Sequence, residues 1–302
     1  MGVEGSYFLL IMKTRAVFPF VLILLCGSCT NNSPGPYHRV HGAWVYNIKQ
    51  HNDSLCFSTL ENGVFCFHPD RPGSVRRVGG FRRMPFRTVC FTKENRFFAS
   101  SYYAGVFYAS KDTLLPLPWA QYPAWAMKLD EQGNIWLACT QGVMRQRGDT
   151  MVRFCGVRDA HDIAFFNGRV AVAHRQGISL YNRETGSLVR EYAHGCVCWS
   201  VTTYDSLCIG GGVERCFVIA RDADACHEIR FGPAGNILWA TALAGDGTLY
   251  LATQHGLLIA RCTDSVARVA AFNDICVKSV CVDTKKRIWV GCFAKPARWR
   301  LF

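Results

Sequence analysis

GNIWLACTQGVMR at 133–145, laid over GTLYLATQHGLLI at 247–259, decides the fold. Both segments read as turn, apolar strand, short loop, glycine, apolar strand. The same frame recurs in DSLCFSTLENGVFCF from Asp53, ENRFFASSYYAGVFY from Glu94, NGRVAVAHRQGISLY from Asn167, DSLCIGGGVERCFVI from Asp205 and KRIWVGCFAKPARWRLF from Lys286, which makes seven copies. The first apolar strand residues are Leu55, Phe97, Ile135, Val170, Leu207, Leu249 and Ile288, at steps of 35 to 42 residues. A period of about 40 residues with short strands is the signature of propeller blades. A strand precedes each marker, as in AWVYNIKQ from Ala43, AWAMKLD from Ala124 and ILWATAL from Ile237. A weaker one follows, as in SVRRV from Ser74. The unit is a four-stranded antiparallel meander.

Such a sheet cannot bury both apolar faces alone, so neighbours must stack face to face and close on themselves to remove open edges. The expected fold is all-β, a seven-bladed β-propeller over residues 37–302, with 266 positions or 38 per blade. The last copy stops at Phe302 after its third strand, and YHRVH at 37–41 is expected to supply the outer strand that closes the last blade. A helical solenoid of similar period is disfavoured, because the segments are rich in Val, Ile, Phe, Tyr and Trp and carry no long 3.6-residue pattern.

The frame D-x-x-G-x-[IL]-W-[IL]-[AG]-x-x-x-G-[LV] is filled best by Asp130, Gly133, Ile135, Trp136, Leu137, Ala138, Gly142 and Val143. It resembles the two-component regulator propeller repeat, found in periplasmic sensor regions of hybrid histidine kinases of Bacteroidetes. It is also similar to the propellers related to virginiamycin B lyase. The resemblance extends over nearly all of 37–302 and is specific in copies three and six. It implies a propeller with a ligand-binding habit. Sensor members continue into further domains, a membrane span and a kinase; this chain, ending at Phe302, is expected to act as a stand-alone protein.

The N-terminal segment reads as an export signal. AVFPFVLILLC at 16–26 is an apolar run flanked by Lys13 and Arg15 upstream and by Gly27 and Ser28 downstream. Its 11 residues fall short of the roughly 20 that a membrane-crossing helix needs. Met12 is the favoured start, which leaves 1–11 as an untranslated extension and 12–28 as the signal peptide. Cys26-Gly27-Ser28 before Cys29 resembles a bacterial lipobox. Cys26 stands where the family has Leu, so an ordinarily cleaved soluble product is the competing reading. With Cys29 lipidated, the membrane is met through a lipid anchor only. TNNSPGP at 30–36 is a polar tether, and the tether as a whole spans 29–36.

Removing residues 1–28 takes away Lys13, Arg15 and Glu4 and lowers the formal charge from +12 to +11. A basic surface favours anionic partners such as acidic polysaccharide, lipid head groups or nucleic acid. Export argues against nucleic acid, and the charges are widely scattered, as solvated turns would be. The densest run is Arg71, Arg76, Arg77, Arg82, Arg83 and Arg87. Of 16 cysteines, 14 lie beyond Cys29. Their spacings match no zinc or disulfide framework, and most sit inside apolar strands as small hydrophobes. A short loop at 60–62 would place Cys56 opposite Cys66, which makes that pair the best disulfide candidate. His194, Cys196 and Cys198 alternate on one strand face but lack a fourth ligand, so no metal and no cofactor are expected.

Propeller ligands usually meet the face carrying the loops between second and third strands and between blades. Those loops supply Arg82, Arg83, Tyr102, Tyr103, Trp119, His161, His174, Arg175, His255 and Lys295 as candidate ligand-binding residues. Aromatic, imidazole and basic groups together suit stacking on sugar rings with charge pairing to carboxylate or sulfate. Acids are few there, chiefly Glu61, Asp162 and Asp274, and no motif fixes an acid beside a base, so catalysis is not expected. The leading expectation is a monomeric envelope lipoprotein that binds an anionic or ring-stacking glycan. The alternatives are a protein-interaction scaffold in an envelope complex and a propeller lyase working through His174 or His255.

Overall fold

A computed structural model describes residues 44–60, 62–79, 84–111, 113–204, 207–220, 226–232, 234–261, 266–268 and 275–293, together with the backbone of strands Tyr7–Lys13, Val21–Gly27 and Tyr37–His38. Six sheets are four-stranded antiparallel meanders in consecutive order. Blade one runs from Val45–His51 through Ser54–Thr59 and Val64–His68 to Arg71–Gly79. Blade three, which fits the repeat frame best, is Ala126–Leu129, Ile135–Cys139, Gly142–Arg147 and Thr150–Cys155. Blades two, four, five and six begin with Phe86–Phe91, Ala160–Phe166, Cys198–Tyr204 and Leu238–Leu243.

The seventh sheet departs from the expected plan. Its hairpin, Cys276–Val282 with Ile288–Phe293, is extended by Val21–Gly27 running parallel to Ile288–Phe293, then by Tyr7–Lys13 and Tyr37–His38. Six complete blades and a partial seventh therefore replace seven equal ones. Tyr37–His38 lies at the outer edge of that sheet as expected, but two strands stand between it and the hairpin. Residues 294–302, including Lys295, lie outside the described residues, as do Cys29, Arg82 and Arg83.

The chain forms two compact units, Arg87–Thr241 on the one hand and Met1–Phe86 with Ala242–Phe302 on the other. Within the first, blades two to five stack in sequence, and each core cluster is shared by two neighbours. Ala126, Trp136 and Val143 of blade three pack with Ile163, Val170 and Tyr181 of blade four. Phe166, Ile178 and Leu180 of blade four pack with Val201, Cys208 and Phe217 of blade five. Within the second unit, Ile48, Phe57 and Phe67 of blade one enclose Trp289 of the seventh sheet. Each aromatic or aliphatic side chain so buried contributes roughly 1.5–3 kcal/mol, so stacking rather than strand pairing supplies most of the stabilisation.

The glycine that recurs in the repeat has a steric cause. A Cβ on Gly142 or Gly177 would lie 2.3 Å from the carbonyl oxygen of Cys155 or Tyr192, and both glycines take positive φ, +127° and +147°. The third strand starts where the outer strand's backbone crosses it, and only glycine fits there.

Candidate functional site

The Asp and Trp of the repeat frame build a turn. Asp130 Oδ1 accepts the backbone N–H groups of Gln132 (3.1 Å) and Asn134 (2.8 Å), while Oδ2 accepts the Trp136 indole N–H (3.0 Å). Burial pushes the Asp130 carboxyl up; the hydrogen bonds from Trp136 and Asn134 and the charge of Arg183 outweigh it and hold the group below the ordinary carboxylate range. The seventh sheet repeats the device: Asp283 Oδ2 accepts the Trp289 indole (2.9 Å) and Arg287 Nε (2.6 Å), and Oδ1 accepts the backbone N–H groups of Lys285 and Arg287. These residues hold the first strand to the second.

The opposite end of each first strand carries different chemistry. Tyr46, Arg87, Trp125, His161, Trp199, Trp239 and Lys278 occupy one equivalent position per sheet, at steps of 36 to 41 residues. Two residues on, Ile48, Val89, Met127, Ile163, Val201 and Val280 are buried. The strand pairing slips at this position in four sheets, between Val45 and Asn47, Ala160 and Asp162, Cys198 and Ser200, and Val277 and Ser279. A β-bulge leaves one residue unpaired and re-aims its side chain. The bulge thus turns Tyr46, His161, Trp199 and Lys278 out of the ladder.

In the Arg87–Thr241 unit these side chains form a continuous row. The Arg87 guanidinium lies 5.2 Å from the Tyr102 ring and 4.8 Å from the Trp125 ring. Tyr102 meets Trp125 at 4.6 Å and Tyr103 at 5.0 Å. Trp125 continues edge-on to His161 at 5.7 Å and to Trp199 at 6.2 Å. His161 stacks nearly parallel on Trp199 at 4.2 Å, and Trp199 meets Trp239 at 5.4 Å. The Trp199 indole N–H is enclosed and meets no protein acceptor among the described residues. Tyr103, 73% exposed, meets the row edge-on at Tyr102. In the other unit, Tyr46 and Lys278 both face Phe293, at 5.2 Å and 5.4 Å, and Trp44 packs on the same ring at 4.7 Å.

Burial disfavours the charged form of two histidines. His161 Nδ1 faces the Cys198 carbonyl at 2.8 Å and so donates a proton to it, which leaves Nε2 as an acceptor. Burial lowers the pKa of His161 against the opposing pull of that carbonyl. His174 Nδ1 accepts the Gln176 N–H (3.3 Å), its Nε2 donates to Ser179 Oγ (2.8 Å), and Ser179 donates to Glu191 (3.2 Å). Burial lowers the His174 pKa too, opposed by Glu191. Asp162 ties three blades: its oxygens accept the N–H groups of Ile163 (2.9 Å) and Val201 (3.1 Å), and Lys128 pairs with it at 3.4 Å.

The structure brings Tyr102, Tyr103 and His161 of the expected site together. His174 is buried beneath a loop, its ring nitrogens engaged. Arg175 is exposed and pairs loosely with Asp159 at 3.9 Å. Trp119 belongs elsewhere: it packs half-buried on the core between blades two and three, with Leu117, Tyr122 and Phe98, because its loop folds back over that apolar seam. His255 follows Thr253, whose hydroxyl accepts its N–H, in the other unit. Arg87, Trp125, Trp199 and Trp239 are the residues that loop-based reasoning missed. The signal was present: in six of the seven first strands a large or basic residue stands two positions before a buried apolar residue.

Cys56 and Cys66 face one another across the blade-one hairpin and are joined in a disulfide. Among the described residues no three metal-ligating side chains gather. Cys196 and Cys198 interact through their thiols, which pulls the Cys196 pKa down to about 6.

No family model and no curated protein matches the chain. It is similar in structure to the extracellular domain of the hybrid two component system BT4673 of B. thetaiotaomicron (TM-score 0.68, 13% identity, covering 83% of this chain and 37% of that one). A second structure of that extracellular domain, titled a one component system, gives TM-score 0.68 and 14% identity over 83% of this chain and 39% of that one. The WD40 beta propeller domain of Doa1 gives TM-score 0.69 and 10% identity, over 84% and 90%. The chain spans well under half of the two BT4673 structures and nearly all of the Doa1 domain. The shared feature is the fold: an all-β propeller of four-stranded antiparallel blades.

Proposed function

We propose that this protein is a ligand-binding propeller of the bacterial cell envelope, whose aromatic row takes a ring-shaped anionic ligand of the glycan type. The observation that carries the reading is the unbroken run from Arg87 through Tyr102, Trp125, His161 and Trp199 to Trp239, all but Tyr102 standing at the one position per blade that a bulge or strand start turns out of the ladder. Indole faces stack on the C–H faces of sugar rings, while Arg87 can pair with a carboxylate and Nε2 of His161 can accept from a hydroxyl group. Tyr46 and Lys278 take the same position in the other unit. Their presence supports counting the partial seventh sheet as a seventh blade.

Binding rather than turnover is the better reading, since His174 uses both nitrogens internally and Asp162 spends its oxygens on backbone N–H groups and Lys128. Clustering of the aromatics favours a small ligand over a docked protein. Export and lipid anchoring at Cys29 remain part of the proposal, supported by the apolar run at 16–26 and by the extracellular domains to which the fold is similar. The test is a glycan array probed with the full chain, the Trp199→Ala variant and the Arg87→Gln variant. Trp199→Ala is expected to lower binding of the best glycan at least tenfold, and Arg87→Gln to lower it selectively for acidic glycans. Equal binding by all three proteins would discard this row as the site.

A further inference from the structure

A groove of about 850 Å³ opens at the other end of the blades, where the Asp130 turn of blade three meets blade four. Its volume lies within the range of small-molecule sites. Arg145, Arg147 and Arg183 line it, together with Asp130, Gln146 and Glu184. Arg183 is neutralised, since it pairs with Glu131 and lies 3.6 Å from Asp130. Arg145 and Arg147 are different. Among the described residues neither comes within ion-pair distance of a carboxylate, although they are two positions apart on the Gly142–Arg147 strand and so project from the same side.

Arg145 is also held in place. Its guanidinium sits 5.5 Å from the Trp136 ring and 5.6 Å from the Phe154 ring, and Nη1 donates to the Arg183 carbonyl at 3.2 Å. One of its five N–H donors is thereby used and the fork is fixed. Burial and the neighbouring Arg147 both work against its charge. A half-buried cation held against a second cation is the arrangement that an incoming anion relieves, and a guanidinium fixed by stacking loses little freedom on binding.

We propose that this groove is a second ligand site, distinct from the aromatic row, which binds a small molecule through an oxyanion held between Arg145 and Arg147. The oxyanion is a carboxylate, sulfate or phosphate, because a planar guanidinium pairs with any of these through two parallel hydrogen bonds. Gln146 does not compete for it: its Oε1 accepts the Ile135 N–H (3.0 Å) and its Nε2 donates to the Gly148 carbonyl (2.9 Å). The inference stands apart from the glycan reading, since no residue is shared between the two sites.

Isothermal titration of the full chain with glucuronate, inorganic sulfate and inorganic phosphate, in separate experiments at low and at about 0.15 M salt, tests it. At least one anion should bind saturably, and the one that binds identifies the source of the charge. Arg147→Gln, an exposed substitution that leaves the core intact, should weaken that binding at least tenfold, and Arg145→Gln should weaken it further. Trp199→Ala should leave it unchanged, which separates this site from the row. No saturable binding of any of the three anions, or wild-type binding by Arg147→Gln, would overturn the proposal.

Discussion

At one end of blade three and of the seventh sheet the same side chains recur: an aspartate, a tight turn and an indole that donates to the carboxylate, as Asp130 with Trp136 and Asp283 with Trp289. At the other end the same position recurs with changing side chains: Tyr46, Arg87, Trp125, His161, Trp199, Trp239 and Lys278. Where two copies keep both place and identity, they make the same hydrogen bonds and the residue serves the architecture. Where place is kept and identity varies, the backbone demands only that a side chain be turned outward, and its chemistry is free to suit a ligand.

The largest expected effect falls on the constant end. Asp283→Ala would strand the Trp289 indole, Arg287 Nε and two backbone N–H groups around a carboxylate site only 1% exposed. Removing one partner from such a buried charged pair costs about 3–5 kcal/mol. Asp130→Ala should cost less, because that carboxylate is 6% exposed and its contact with Arg183, at 3.6 Å, is longer than the 2.6 Å bond from Arg287 to Asp283. Urea unfolding monitored by tryptophan fluorescence gives both values. Equal losses at Asp283 and at an exposed position of the aromatic row would break the distinction between the two ends.

The constant end is also what made the fold legible. Gly133, Trp136 and Gly142 fix a frame with a period, and the period fixes the sheet, because each of these residues answers a local demand of one blade. The proposed row was legible only in part. Tyr102, Tyr103 and His161 were found by looking at loops, whereas Arg87, Trp125, Trp199 and Trp239 lie in or beside strands that alternation alone assigns to packing. A bulge of one residue reverses that assignment, and nothing in the local pattern of Cys198-Trp199-Ser200 announces it. Trp119 shows the converse: a loop aromatic that packs, half-buried, on a seam between blades. The seventh sheet eluded the reading for another reason, since a parallel addition such as Val21–Gly27 is nonlocal and carries no hairpin signal.

A covalent contrast sharpens the comparison next. The Cys56–Cys66 bond closes a loop with a sequence separation of 10, for which chain entropy gives an upper value of roughly 2–3 kcal/mol. Reduction, or a Cys56→Ser/Cys66→Ser double variant, should lower the urea midpoint accordingly. Ligand binding at Trp199 should stay within experimental error, because the bond reinforces blade one and touches no member of the row.

The variable end should reveal itself through pH. His161 and His174 carry pKa values lowered by burial from 6.5. The unfolded chain takes up their protons near pH 6.5, while the folded chain waits for a lower pH. Between those values the unfolded state binds more protons, so stability falls as pH falls through that window and levels off once the folded imidazoles are protonated. Denaturation midpoints at pH 7.5, 6.5 and 5.5 measure the slope. His174→Gln, which retains a hydrogen-bonding group near Ser179, should flatten it. A slope unchanged in that variant would assign the acid sensitivity to other groups.

The smallest effect on stability, and the most informative contrast with Asp283, belongs to Tyr103. Its ring is 73% exposed and, among the described residues, touches the row through Tyr102 alone. Tyr103→Ala therefore removes little buried area and leaves no donor stranded, and exposed substitutions of this kind stay within about 0.5 kcal/mol of the parent. If the row recognises a ring from the side of Tyr103, the same change should still weaken ligand binding severalfold, since Tyr103 is the first surface the ligand meets. Paired urea and glycan-binding measurements separate the two quantities. A Tyr103→Ala protein that loses stability but keeps its affinity would mean that this loop aromatic serves the fold rather than the ligand.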